Sequence, residues 1–218
     1  MSVQDKIAAL APWHFNVHLP DGTHTAPGLE QDKLLVQQWL KIKDILPEDL
    51  TGWKVLNVGC SSGFHAVELA KRGAYVVAVD TDEHCLEQAS WLAEQFCLKN
   101  KIIISKADLG DLEQDSMVFD LALCIQDTTN APYPDDVIEI LAKKTKKIII
   151  SDTNSDELLV NQRLNDDRVA AVQEMQPDAA PPTQIYNKLK SAGFSVDYLP
   201  QEHIYSGERV LNANTYAI

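Results

Sequence analysis

From residue 54 onward the chain alternates between two hydrophobic periods. Short runs rich in Val, Ile, Leu and Ala fall at 54–58, 75–79, 101–105, 119–124 and 146–151 and predict buried strands. Between them the spacing turns helical, over Phe64 to Lys71, Glu83 to Phe96 and Asp135 to Lys144. Strands that alternate with helices in this way form a parallel sheet covered on both faces, here a Rossmann-like three-layer α/β sandwich. After Asp152 the pattern changes: a charged helical stretch from Asp156 to Met175 runs into the breaker Gln176 to Pro182, so 153–182 is expected to be a helical insertion. Thr183 then caps a helix to Ala192, Gly193 ends it, and Phe194 to Leu199 gives a sixth strand. A last strand is expected at about Arg209 to Ala217, pairing antiparallel with the sixth if Ile204-Tyr205 extends that one. The whole is a seven-stranded, mostly parallel sheet with an antiparallel last strand.

The residues before the first strand are of another kind. Trp13 to Thr23 alternates like a strand and turns at Pro20-Asp21-Gly22, which predicts a small hairpin or arm. Gln31 to Leu46 carries Leu34, Leu35, Trp39, Leu40, Ile42 and Ile45 near helical spacing and stops at Pro47, an added helix packed on the sheet. The two large aromatics Trp13 and Phe15 precede any strand able to bury them, so they must pack onto something already folded. The mouth of the sheet at strand one is the expected place, and the arm is expected to close over it as a lid.

Composition narrows the function classes. The 218 residues suit one domain, 1–218, with 1–50 as arm and helix, and contain no repeat or low-complexity tract. With 32 acidic against 19 basic residues the net charge is −13, which repels nucleic-acid phosphates and favours small or neutral partners. Cysteines 60, 85, 97 and 124 make no CxxC pair and predict buried free thiols in a reducing compartment. No leader-like segment opens the chain and no apolar run is long enough to span a bilayer, so a cytoplasmic location without membrane contact is expected.

The candidate chemistry centres on the end of the first strand. Lys54 to Val58 stops at Gly59-Cys60-Ser61-Ser62-Gly63, and a helix follows at once. Glycines let a ligand approach the backbone, and the first helical turn offers N–H groups without internal partners. About twenty residues on, the second strand ends at Asp80, whose carboxylate is suited to accept hydrogen bonds from the vicinal hydroxyls of a ribose. Strand, glycine turn, helix, then an acid ending the next strand reads as a nucleoside site at the carboxyl ends of parallel strands.

Five parallel strands, a helix and a closing antiparallel hairpin resemble the class I methyltransferases, and the likeness extends to motifs. Asn57-Val58-Gly59-Cys60-Ser61-Ser62-Gly63 resembles that family's acidic-x-Gly-x-Gly-x-Gly turn, Val77-Ala78-Val79-Asp80 its ribose-binding strand end, Lys106-Ala107-Asp108-Leu109 its adenine-side motif, and Phe119 to Leu123 its fourth strand. The resemblance implies S-adenosylmethionine as cofactor, held by Asn57, Gly59, Cys60, Ser61, Gly63, Asp80, Thr81, Asp108, Leu109 and Ile125, with Trp13 from the arm. A narrower likeness over about residues 13 to 80, carried by Asp49-Leu50-Thr51-Gly52, by Gly63-Phe64-His65 and by the Trp13 to Gly28 arm, is to the family around the tRNA wobble-uridine 5-oxyacetate methyltransferase. Two departures stand out: Asn57 replaces the usual acid and Ser61 the middle glycine. The basic residues which that tRNA enzyme uses on a carboxylated cofactor are not evident in the arm, so ordinary S-adenosylmethionine and a small-molecule acceptor are expected, and a nucleic-acid acceptor is not. The acceptor is expected between 126–133, the 153–182 insertion and the arm, and His14, Asp127 and His203 are the candidate bases.

Other readings of the same residues are weaker. Gly59-Cys60-Ser61-Ser62-Gly63 fits G-x-S-x-G, with Asp152 and His203 in hydrolase order, but an α/β-hydrolase places several strands before its elbow and the residues here supply at most a hairpin. A nicotinamide fingerprint needs glycine where Phe64 stands. His14, His18 and His24 match no metal-ligand spacing, so no metal is expected. Lys143, Lys144, Lys146 and Lys147 sit where a helix ends and complement its dipole. Cys60 and Cys124 read as packing residues. A non-catalytic nucleoside-binding protein with the same fold is the alternative that Asn57 and Ser61 keep open.

Overall fold

The computed structural model describes residues 1–29, 36, 39–40, 42–125, 137–151, 184–199 and 204–209. They fall into two compact units, Met1–Cys124 and Ile125–Ile218. In chain order the elements are α1 (Val3–Ala9), β1 (Lys54–Val58), α2 (Phe64–Lys71), β2 (Tyr75–Asp80), α3 (Glu83–Gln95), β3 (Ile102–Lys106), α4 (Leu109–Gln114), β4 (Phe119–Cys124), α5 (Val137–Lys144), β5 (Thr145–Ser151), α6 (Gln184–Ser191), β6 (Phe194–Leu199) and β7 (Ile204–Arg209). No described helix is long and apolar enough to cross a membrane.

The first unit holds a parallel sheet in the order β3-β2-β1-β4. β1 lies between two partners, with Asn57 opposite Ala78 on one side and Leu123 on the other, which is why its residues after Lys54 are all buried. Val55, Leu56, Leu69, Leu92, Leu121 and Leu123 are fully enclosed and form the core that fixes the carboxyl ends of the strands. Asp120 assists at the opposite end, where its Oδ2 accepts the Lys54 N–H at 2.9 Å. The doubly wound order, in which the chain leaves β1 for β2 and β3 and returns beside β1 as β4, puts a topological switch point at the end of β1.

The second unit pairs β5 with β7 and β7 with β6, both antiparallel. The closing strand differs from the expectation. Ile204-Tyr205 opens β7 rather than extending β6, and Arg209 ends it, opposite Phe194; residues 210–217 lie outside the described residues. The physical reason is the pairing: all six residues of β6 meet all six of β7, whereas turning at Ser206-Gly207-Glu208 would leave most of β6 without that partner. The insertion at 153–182, the Thr183 cap and most of the 31–41 stretch also lie outside the described residues; Trp39, Leu40 and residues 42–44 are helical, as expected there.

Two short helices appear where none was predicted. α1 is closed by a capping box in which Ser2 and Asp5 exchange side-chain to backbone bonds, and α4 by the same device between Asp108 and Asp111. All four cysteines are free; Cys60, Cys85 and Cys124 are buried, while Cys97 is exposed, at variance with an expectation of burial.

Candidate functional site

The turn after β1 is built by backbone conformations that few residues accept. Gly59, Ser61 and Gly63 all have positive φ, at 64°, 49° and 89°. Cys60 N–H donates to the Val79 carbonyl at 3.0 Å and Gly63 N–H to that of Cys60 at 2.9 Å, so the loop is tied to the end of β2 and folded on itself. Gly63 has a reason other than ligand approach: a Cβ there would lie 2.8 Å from Ala89 Cβ on α3, so the missing side chain brings α2 and α3 together.

Asp80 faces this turn. Its Oδ2 accepts the Ser61 N–H at 2.8 Å and its Oδ1 the Asp82 N–H at 3.0 Å. One backbone donor on each oxygen fixes the plane of a half-exposed carboxylate and leaves further lone pairs for two hydroxyls. Ser61, in the position of the middle glycine, thus takes the left-handed conformation to present its N–H, and its Oγ lies 4.0 Å from Cys85 Sγ. Thr81 is exposed beside the carboxylate.

The interior side of the turn carries polar atoms that the protein does not satisfy. Asn57 donates from Nδ2 to the Leu123 carbonyl at 3.4 Å, but its buried Oδ1 has no partner, and neither has buried Ser62 Oγ. Buried polar atoms in native folds are hydrogen-bonded, so both fit a site completed by a polar ligand or its waters. The residues present therefore fit a nucleoside with a polar tail: hydroxyl acceptors at Asp80, close backbone at 59–63, and unpaired polar atoms beneath.

The thiols near the turn are held protonated. Burial, reinforced by the charge of Asp80, pushes the Cys60 thiol far above its ordinary range, and burial with Asp82 nearby raises Cys85 to about 11. Neither is a thiolate at neutral pH, which agrees with packing roles. Cys124 is fully buried at the end of β4, and Ile125, next in the chain, is buried too.

Other expected site residues meet different surroundings. Asp108 is exposed and N-caps α4, its Oδ1 accepting the Asp111 N–H at 2.9 Å, with Leu109 half-buried behind it. Trp13 is buried, with its Nε1–H donating to the Ile7 carbonyl at 2.9 Å and its ring 5.7 Å from that of Trp91, so its one polar group is spent on the N-terminal segment itself. The start of the expected lid, at Trp13, thus packs on α3 through Trp91. His14 is exposed on the same arm; Asp127 and His203 lie outside the described residues. The hairpin itself is as expected, with His18 bridged to His24 and Leu19 N–H donating to the Thr23 carbonyl at 2.8 Å. Asn16 Nδ2 meets His24 Nδ1 at 3.4 Å, and because Asn16 Oδ1 already accepts the Ala26 N–H, that ring nitrogen is the acceptor.

Sequence reasoning gave no role to two buried residues, His65, which entered only through the family likeness, and Gln88. His65, on α2, is fully buried between the rings of Trp39 and Phe64, with Nε2 unpartnered, and burial lowers its pKa to about 4. Gln88 is fully buried on α3 and donates from Nε2 to the carbonyls of Leu10 and Pro12, each at 2.8 Å. The spacing His84, Gln88, Trp91, one stripe of a helix, was the available signal.

Residues 55–148 match the family model described as a methyltransferase domain. Among similar curated proteins are a magnesium-protoporphyrin O-methyltransferase of Rhodobacter capsulatus, 33% identical over 48% of this chain and 46% of its own length, and a ubiquinone biosynthesis O-methyltransferase of Coxiella burnetii, 34% identical over 48% and 45%. The chain thus spans under half the length of those relatives in the matched region. Among solved structures, magnesium protoporphyrin IX methyltransferase from Synechocystis PCC 6803 with bound SAH shares 21% identity over 83% of each chain at a TM-score of 0.57. The N-terminal domain of EvdMO1 with SAH bound shares 18% over 95% of this chain and 96% of that one, at 0.66. At these identities the structures establish the fold, a Rossmann-like α/β fold shared with methyltransferases.

Proposed function

We propose that this chain, whose residues 55–148 match a methyltransferase domain, binds S-adenosylmethionine and transfers its methyl group to a small-molecule acceptor. The observation that carries the reading is the Asp80 carboxylate, oriented at the end of β2 by the N–H groups of Ser61 and Asp82 opposite a turn of positive-φ residues. Bound there, the cofactor supplies a methyl group on a sulfonium, which leaves as a neutral thioether. What remains for the protein is to orient donor and acceptor and keep water out. Asp80 and Thr81 hold the ribose side, Asp108 and Leu109 the adenine side with Ile125, and Gly59 to Gly63 with Asn57 the methionine side. The reading also takes the two strand arrays as one seven-stranded sheet in a single domain over 1–218, and a reducing, cytoplasmic setting in keeping with four free thiols.

The relatives named above are O-methyltransferases, which favours a hydroxyl oxygen as acceptor, with His14, Asp127 and His203 as the residues to test as base. A tRNA acceptor, which the narrower likeness of residues 13–80 implies, sits poorly with a net charge of −13. Asn57 in place of an acid favours the second reading, a nucleoside-binding protein that does not turn over; release of S-adenosylhomocysteine with any acceptor decides between the two. Calorimetry tests the site. Asp80→Ala is expected to weaken binding of S-adenosylmethionine and S-adenosylhomocysteine by about 2–4 kcal/mol, the loss of two charge-assisted hydrogen bonds. Unchanged affinity removes Asp80 from the site.

A further inference from the structure

The arm and the ribose acid are joined by one run of hydrogen bonds through the start of α3. Asp80 Oδ1 accepts the Asp82 N–H at 3.0 Å, and Asp82 Oδ1 in turn caps α3, accepting the N–H of His84 at 2.8 Å and of Cys85 at 3.4 Å. One turn further, the side chains of α3 reach the arm. His84 Nε2 lies 3.2 Å from the Pro12 carbonyl and 3.1 Å from Gln88 Nε2; with both Gln88 hydrogens aimed at carbonyls, the proton is assigned to this ring nitrogen, facing Pro12. Gln88 Nε2 spends both hydrogens on the carbonyls of Leu10 and Pro12. Trp91, on the next turn of the same stripe, receives the ring of Trp13.

This stripe stands out energetically. Gln88 is completely enclosed, its Oε1 has no partner, and the two carbonyls it serves belong to a segment with no strand or long helix to hold it. A buried amide keeps such a place only if its donors are satisfied, and losing the arm would leave Gln88 Nε2 with the His84 ring alone, whose Nε2 lies 3.1 Å away. Docking of the arm and the position of the first turns of α3 are therefore one equilibrium, and that first turn is where the Asp80 carboxylate takes one of its two backbone donors.

We propose that His84 and Gln88 are positioning residues which, by holding Leu10 and Pro12 against α3, set the Asp80 carboxylate for the cofactor ribose. This rests on the site reading above and adds that the arm acts through α3, without touching the cofactor. The residues act through Asp80; they are not catalytic.

The test compares S-adenosylhomocysteine affinity by calorimetry with arm release, read as the rate of tryptic cleavage after Lys6, in the full chain. Gln88→Leu is expected to speed cleavage and weaken affinity roughly five- to ten-fold, the scale of one hydrogen bond between ordinary groups. His84→Leu is expected to do the same to a smaller extent, while His84→Gln, which keeps a donor, restores both; this pair carries the test if Gln88→Leu does not fold. Leu92→Val, a core change on α3 away from the arm contacts, is expected to lower the melting midpoint and leave affinity unchanged. Released arm with affinity within two-fold of wild type overturns the inference alone, and so does an equal loss in Leu92→Val. A wild-type chain that does not bind S-adenosylhomocysteine overturns the site reading itself.

Discussion

His65 shows how a single residue ties the site region to solution conditions. It is enclosed by Trp39 and Phe64, and burial lowers its pKa from 6.5 to about 4. Between these values the unfolded chain binds a proton that the folded chain refuses, so stability is full above pH 6.5 and falls as pH drops toward 4. The linked loss is on the order of 3 kcal/mol at the bottom of that window. Urea melts between these limits should therefore show a steeper decline for wild type than for His65→Leu, which cannot protonate; parallel curves would mean that His65 is solvated. Asp80 and Asn57 show the complementary lesson. Both positions were legible from motif spacing, yet the two donors that aim the carboxylate, and the orphaned Asn57 Oδ1, depend on the positive φ of Ser61 and on strand register, which spacing alone does not carry.

At the scale of elements, legibility followed the hydrophobic pattern. β1 and β4 fall at the predicted bounds and β2, β3, β5 and α3 within a residue, because unbroken apolar runs and helical stripes mark an element whatever its length. The helices α1 and α4, of 7 and 6 residues, are too short to show a period and are held by their capping boxes, Ser2 with Asp5 and Asp108 with Asp111, a signature readable one residue at a time. Where the arm would dock was not legible, since the pairing of Trp13 with Trp91 joins residues far apart in sequence whose flanks show no matching pattern. The contact between α2 and α3 is the element-scale feature that a mutation isolates best. Gly63→Ala meets two obstacles at once, a φ of 89° and a Cβ 2.8 Å from Ala89 Cβ. It is expected to cost about 2–4 kcal/mol in denaturant unfolding, by left-handed strain and overpacking together. Ala89→Gly removes the 2.8 Å contact, leaves that residue's Cα at 3.0 Å and itself costs about 1 kcal/mol in a helix, so in a double-mutant cycle Gly63→Ala should cost less in the Ala89→Gly background; an equal cost would show that the Ala89 Cβ does not press on the turn.

For the molecule as a whole the deciding quantity is charge. The chain carries 32 acidic and 19 basic residues, and affinity for nucleic acid grows mainly by neutralising phosphates and releasing their counterions. The densest basic cluster in the sequence, Lys143, Lys144, Lys146 and Lys147, spans the end of α5 and the start of β5, which points its members in different directions. Lys143 and Lys146 are exposed, Lys147 is half-buried and Lys144 is buried, and all four already take part in interactions within the protein. Two exposed lysines against a net charge of −13 release few ions. Bulk tRNA at physiological salt should therefore give no shifted band with the chain at micromolar concentration, despite the likeness of residues 13–80 to a tRNA-modifying family. A sub-micromolar complex whose affinity falls steeply with salt would reverse this, and Lys143→Glu with Lys146→Glu would then be the variant to show whether that face makes the contact.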